Sequence, residues 1–387
     1  FPDKYRNSLL AFDWSFGIIY AIQLERDGAS YQAKAEEFLS GTPLPLTDGE
    51  IGPDGALYFL SGGRRLESDL YRVSYKNQDK VKETQGKKDD ITEELTIRRK
   101  IESYFEKGPD ANVVEEVWPY LNHDDRYIRY AAITALRHQP LKLWAKKVFR
   151  ERNIRTVTHA MTAMARSGHP ELQSIMLRKL MTIDINRISK ENKIGLLRAL
   201  EVILYRMGDP EPGIAKQLAA YFADAYPTSD NALNREFAKI LIQIGAPYAV
   251  EKTLSLLDSA KDDSTTLIPT LTSSSDLILR NPQYGMDIAG TLAKTPPAQQ
   301  IYFATALSKA SAGWTPELYE HYFKWFYNAF GYKGGNSYVG FIDAARKLAL
   351  EKVPKDQFDH YNTISGDSLL AASGKDLLEN IVPPKGP

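Results

Sequence analysis

Over the first 75 residues, polar and apolar positions change places every one or two residues; beyond position 91 they follow a longer period. Leu9-Leu10-Ala11-Phe12 and Ile18-Ile19-Tyr20-Ala21-Ile22 are short β-prone runs on either side of Asp13-Trp14-Ser15-Phe16-Gly17, a polar turn ended by glycine. Pro53-Asp54-Gly55 precedes Ala56-Leu57-Tyr58-Phe59. Here proline presets φ, aspartate tolerates the turn and glycine supplies a positive φ, so the chain reverses between two extended runs. With Leu70-Tyr71-Arg72-Val73, residues 5–75 predict about four short strands. From 76 to 91 large apolar side chains almost vanish, which predicts a linker. Then Ile97, Ile101, Tyr104 and Phe105 take helical spacing up to a stop at Gly108-Pro109.

About four strands with this turn chemistry read as one blade of a β-propeller. A propeller needs at least about four blades to close, so the rest of one is expected outside this chain. Helical segments follow in pairs. Gly168-His169-Pro170, Gly208-Asp209-Pro210 and Gly245-Ala246-Pro247 recur roughly 40 residues apart, and His138-Gln139-Pro140 marks an earlier junction at a shorter interval. Glycine suits the left-handed position past a helix end, and proline suits the first turn of the next helix. Two helices per repeat of that length are the signature of HEAT or armadillo solenoids. Asp124-Asp125-Arg126-Tyr127-Ile128-Arg129 followed by Ala131, Ala132 and Ala135 predicts a capped, closely packed helix, with Arg129 reaching an acidic group of a neighbouring repeat. About four such pairs fit between 92 and 260.

After 282 the repeat fades while helices persist. Thr315 and Pro316 predict a helix start, and Tyr319, Tyr322, Phe323, Phe326 and Phe330 share one face with the spacing of a buried stripe. Gly334-Gly335-Asn336-Ser337 predicts a turn before the next helix, and the end of the chain a tail. The expected fold is therefore mainly α, a HEAT-like solenoid preceded by a small antiparallel β region resembling one propeller blade. Its parts are the blade at 1–75, a linker at 76–91, helical repeats at 92–260, a C-terminal helical extension at 261–381 and a tail at 382–387.

Composition narrows the function classes. Lys plus Arg and Asp plus Glu number 49 each, so no overall positive field argues for nucleic acid. The 387 residues contain no cysteine, which removes disulfides, thiolate metal sites and thioether-linked haem. No apolar run reaches the length of a membrane span. A start at Phe1 suggests a processed or excised product. The sequence carries no Gly-x-Ser-x-Gly elbow, Walker loop or dinucleotide fingerprint, so no catalytic motif is present.

Several segments together resemble the multidomain haem-binding dehydrogenase-like proteins of planctomycetes and Bacteroidetes. They are Asp13-Trp14-Ser15, Pro45-Leu46-Thr47-Asp48, Pro53-Asp54-Gly55, Gly62-Gly63-Arg64 and Leu70-Tyr71-Arg72 in the β region. In the helices they are His123-Asp124-Asp125-Arg126, Asn234-Arg235-Glu236, Gly313-Trp314-Thr315 and Gly334-Gly335-Asn336-Ser337. The resemblance implies a six-bladed propeller similar to glucose/sorbosone dehydrogenases, a HEAT-like domain and a cytochrome c domain. This chain would be the last blade and the helical domain, with Pro383-Pro384-Lys385-Gly386-Pro387 leading toward the cytochrome. It implies a periplasmic or exported setting. It places haem c, with PQQ or calcium, in the parent protein and no cofactor in this chain. The partners would be the missing propeller and cytochrome domains or another protein.

Two functions are compatible with these features. In one, the chain is a scaffold that holds a redox propeller beside a cytochrome domain or docks a partner. In the other, it is the C-terminal part of a PQQ- or haem-linked sugar or alcohol dehydrogenase whose last blade contributes to the active site. Asp48, Asp54 and Arg64 are candidates for the propeller channel, or for bracing the blade, and turn acids commonly serve their own turns. His123, Arg126, Arg129 and Arg235 are candidate interaction residues of the helical repeats. His138, His159 and His169 lie in the same repeats, but no two histidines have the i, i+4 spacing of a helical zinc site.

Overall fold

The computed structural model describes residues 3–5, 7–63, 66–76, 91–261, 298–332 and 338–372. The expected linker at 76–91, except for its two ends, the turn at Gly334–Ser337 and the tail at 382–387 lie outside the described residues. The chain is mainly helical with two small antiparallel sheets, and it divides into two compact units. The first contains the described residues up to 108 together with 123–135; the second contains 109–122 and the described residues from 136 onward.

In the first unit, β1 (Ser8–Asp13), β2 (Ile18–Asp27) and β3 (Ser30–Ser40) form one sheet, and β4 (Leu46–Ile51), β5 (Leu57–Gly63) and β6 (Leu66–Val73) form another. Both turns expected from sequence are present: Gly17 (φ 65°) closes the β1–β2 connection and Gly55 (φ 75°) the β4–β5 connection. Six strands replace the expected four. The clearest addition is β3, whose Ala, Lys and Glu residues favour helix and whose side chains are mostly exposed, yet whose backbone pairs with β2 from Ile18↔Ser40 to Asp27↔Ser30. Tertiary pairing overrides local preference there.

Ile19, Leu46, Leu57 and Phe59 are buried together, with Leu10, Phe12, Phe38 and Val73 packed around them, so the two sheets share one apolar layer. Gly49 is needed in that layer: a Cβ on it would stand 2.5 Å from Cζ of Phe12. Trp14 adds a polar tie by donating from Nε1 to the Gly62 carbonyl at 2.9 Å. Also in this unit are α1 (Glu93–Glu102) and most of α3 (Arg126–Arg137), in which Ala131, Ala132 and Ala135 are buried as their small size suggests.

In the second unit, α2 (Ala111–Val117) leads through a short 3-10 turn toward α4 (Ala145–Arg150) and α5 (Ile154–Arg166). Next come α6 (Gln173–Leu180), α7 (Lys190–Met207), α8 (Pro212–Phe222), α9 (Asn231–Gln243) and α10 (Ala249–Ser259). The described residues end with α11 (Ala298–Leu307), α12 (Pro316–Phe330), α13 (Tyr338–Leu350), α14 (Phe358–Ile364) and α15 (Asp367–Ala372).

Helices α5, α7, α9 and α11 pack side by side in that order, each on the next, and α13 continues from α11. A second layer backs them: α6 packs on α7 and α8, and α10 on α9 and α11. The layers meet over Met161, Met164, Leu197, Leu200, Phe237, Leu241 and Phe303, all fully buried. Gly168, Gly208 and Gly245 take positive φ just past α5, α7 and α9, as expected. The prolines are less uniform. Pro170 opens a 3-10 turn, α8 begins at Pro212 and not Pro210, and Pro247 precedes the start of α10. Thr315 caps α12 as expected, and Tyr322, Phe323 and Phe326 lie fully buried on its apolar stripe. Among the described residues no helix is long and apolar enough to cross a membrane.

Candidate functional site

Of the sequence-derived candidates of the β unit, Asp54 serves its own turn. Asp54 sits in the β4–β5 connection, where its carboxylate accepts from Arg72 Nη2 at 2.7 Å, Arg72 Nε at 3.0 Å, the Tyr58 hydroxyl at 2.9 Å and the Ala56 amide at 3.1 Å. Hydrogen bonding from Arg72, ahead of that from Ala56 and Tyr58, draws its pKa down to about 2. Asp48 lies on β4 and accepts the amide of Gly49 at 2.8 Å. Arg64 lies outside the described residues. Asp54 thus has donors from its own hairpin on both oxygens.

His123, Arg126 and Arg129 belong to the start of α3. The Nδ1 of His123 accepts the Asp125 amide at 3.0 Å. Arg129 donates from Nη1 to the carbonyls of His123 and Asp124 at 2.7 and 2.8 Å, so its guanidinium closes the loop that precedes its own helix. Arg126 lies over the ring of Tyr127, 5.0 Å from its centroid, and Arg98 of α1 lies 5.7 Å from the same ring.

The centre of this cluster is Asp125, which sequence patterning marks as a cap of α3 but not as a link to the β2–β3 turn. Its Oδ1 accepts the amides of Tyr127 and Ile128, capping α3, while its Oδ2 accepts the amide of Ala29 at 2.8 Å in the β2–β3 turn. Thr92, which caps α1, donates to the Gly28 carbonyl at 2.7 Å, and Arg98 donates to the Ala29 carbonyl at 3.1 Å. Burial opposes the charge on Asp125, but the amides of Ala29, Tyr127 and Ile128 outweigh it and hold the pKa below the usual carboxylate range. Gly28 (φ 52°) fits because a Cβ there would meet Asp125 Oδ2 at 2.5 Å.

In the helical unit, ionic contacts link successive helices of the row. Arg155 of α5 pairs with Glu191 of α7 at 3.2 Å, and Lys190 of α7 pairs with Asp230, the N-cap of α9. Farther along, the Glu201 carboxylate accepts from Arg198 at 2.6 Å and from Lys239 of α9 at 3.1 Å, and Lys239 also pairs with Glu236 at 2.8 Å. Burial works against the Glu201 charge, yet Arg198 and Lys239 hold its pKa below the usual value. For Lys239, burial is outweighed by Glu236 and Glu201, and the ammonium is held above its usual pKa.

Arg235 stands over the ring of Tyr302 at 5.9 Å, and the Tyr302 hydroxyl donates to the Arg235 carbonyl at 3.2 Å. Burial pushes the Tyr302 phenol up to about 12, so at neutral pH it remains a donor. Beside these groups a groove of about 810 Å³ crosses α7, α9 and α11, with Val202, Ile240 and Ala306 among its apolar lining and Tyr205 at 82% exposure. The i, i+3, i+4 recurrence of Ile194, Arg198, Glu201 and Tyr205 was the signal in the sequence that could have marked this stripe.

The histidines are dispersed. His159 bonds the Leu121 carbonyl at 2.7 Å and His169 bonds Glu171 at 2.9 Å. Among the described residues, no three His, Cys, Asp or Glu side chains gather as a metal site requires. Haem c, implied by the family resemblance, finds no thioether partner in a chain without cysteine. No protein-family model, curated protein or solved structure matches the chain.

Proposed function

We propose that this chain is a scaffold, a HEAT-like helical array that joins the propeller and cytochrome c domains of a larger exported redox protein and docks a partner on its row of helices. The observation that carries the proposal is the serial packing of α5, α7, α9 and α11, each resting on the next and linked by Arg155–Glu191 and Lys190–Asp230. Nearest-neighbour stacking of helical pairs, closed by side chains that reach from one pair to the next, is the organisation of a solenoid. The β unit then supplies three strands to each of two adjacent propeller blades, where the sequence alone suggests one whole blade. Two sheets that share an apolar layer favour that assignment.

The dehydrogenase-fragment alternative receives no support from Asp54, whose carboxylate is engaged by Arg72, Tyr58 and Ala56. Export and the link to a cytochrome follow from the family resemblance of the sequence. The test is the intact mass and terminal sequences of the native protein in its host, with a haem stain on the same band. A much longer, haem-positive product is the expected result. A product ending near Phe1 and Pro387 without haem would overturn the link to a redox parent.

A further inference from the structure

The row α5–α7–α9–α11 departs from the electrical neutrality of the chain. Helix α5 carries two arginines and no acid; α7 carries four basic residues against two glutamates; α9 carries two against one; and α11 carries neither sign. The whole chain balances 49 against 49. Much of the excess stands on the solvent-facing side of the row, because the opposite faces of these helices supply the core.

Within the groove, the carboxylate of Glu201 is already taken by Arg198 and Lys239, and Asp209 accepts from Gln243 at 3.2 Å. Lys309 projects from the exposed surface just after α11 and makes no ion pair among the described residues. It stands near Lys352, whose pKa is lowered by burial and, to a lesser degree, by the charge of Lys309, against the opposing charge of Glu351. Tyr205 presents a largely free ring. Aromatic side chains of this kind anchor partners at small entropic cost.

We infer that this groove binds an acidic segment of polypeptide in extended form, with a partner carboxylate meeting Lys309 and a partner side chain packed on Tyr205. The length is suitable. Helix axes pack roughly 8–10 Å apart, so crossing from α7 to α11 takes about 16–20 Å. That is about five or six extended residues. Glu201 and Asp209 interrupt the positive charge of the groove formed by Arg198, Lys239 and Lys309, so a peptide whose carboxylates alternate with neutral residues fits better than nucleic acid with its continuous phosphate backbone. The inference rests on the scaffold proposal only in taking this row as the docking face. The mass and haem tests concern the parent protein, so a failure here leaves their outcome standing.

The experiment is fluorescence anisotropy of a labelled ten-residue peptide alternating Glu and Ser, titrated with the full chain at low salt. A Lys-Ser peptide and a labelled single-stranded DNA serve as competing probes. Saturable binding of the Glu-Ser peptide is expected, weakened about tenfold by Lys309→Glu and several-fold by Tyr205→Ala, with binding falling as salt rises. Lys309→Ala, which adds no charge, should give a smaller loss in the same direction. Lys216→Glu, an exposed site on α8 in the backing layer, should leave binding unchanged. Absence of saturation, equal binding of the Lys-Ser peptide, preference for the DNA, or an equal loss on Lys216→Glu would each overturn the inference.

Discussion

The two units hold their elements together by different means. In the β unit, single carboxylates each gather several partners: Asp125 caps α3 and grips the β2–β3 turn, while Asp54 holds Tyr58 and Ala56 of its own hairpin and Arg72 of β6. In the helical unit, apolar burial is continuous from α5 to α11, and ionic contacts are spread along the row. Polar attachment in the first is concentrated, so single substitutions should undo a joint. In the second, ionic substitutions should be mild and apolar ones severe.

The largest expected effect comes from the apolar layer. Phe237 is fully buried, edge-on to Phe222 at 5.3 Å and 5.8 Å from Tyr226. Phe237→Ala is expected to cost about 3–5 kcal/mol in urea unfolding, with faster amide exchange in α7 and α9. A loss below about 1 kcal/mol would mean that the row is not held by this layer.

A smaller cost, about 1–3 kcal/mol, is expected for Asp125→Ala, which leaves the amides of Ala29, Tyr127 and Ile128 without their acceptor. Protection of the Ala29 amide should fall with it. Acidification should reproduce the effect in the wild-type chain. Because the folded-state pKa of Asp125 lies below its unfolded value, its contribution is complete above about pH 3.9 and is lost as the pH falls toward the folded-state value. Stability measured from about pH 6 down to about pH 3 should therefore fall less steeply in Asp125→Ala than in the wild type. Equal slopes would remove Asp125 from the account.

The smallest effect belongs to the ionic contacts of the row. Arg155→Ala should cost about 0.2–1 kcal/mol and become harder to detect at high salt. A loss comparable to that of Phe237→Ala would erase the contrast between the units.

Part of the fold was visible in the chain itself, through signals that are local. Gly17, Gly55, Gly168, Gly208 and Gly245 all mark turns or helix ends at positive φ, because a residue without Cβ is selected by its own backbone conformation. The buried stripe of α12 followed from spacing alone. Strand β3 did not, since its residues have helical preference and its partner is chosen by pairing with β2. Asp125 was legible as a cap, but its bond to Ala29, far away in sequence, was not. The groove escaped notice for the same reason: Tyr205, Lys239 and Lys309 come from three elements that only packing brings together.

Strand β1 bears on how the protein behaves once purified. It lies at the edge of its sheet, with Leu9 at 59% exposure, and carries no charge before Asp13. The edge strand β3 carries Lys34, Glu36 and Glu37, β4 carries Asp48 and Glu50, and β6 carries Glu67, Asp69 and Arg72. Charge along an edge discourages a foreign strand from adding to it, and β1 lacks that protection. Loss of solubility in concentrated samples should therefore begin at residues 8–12, and a lysine in place of Leu9 is the economical remedy for crystallisation or storage.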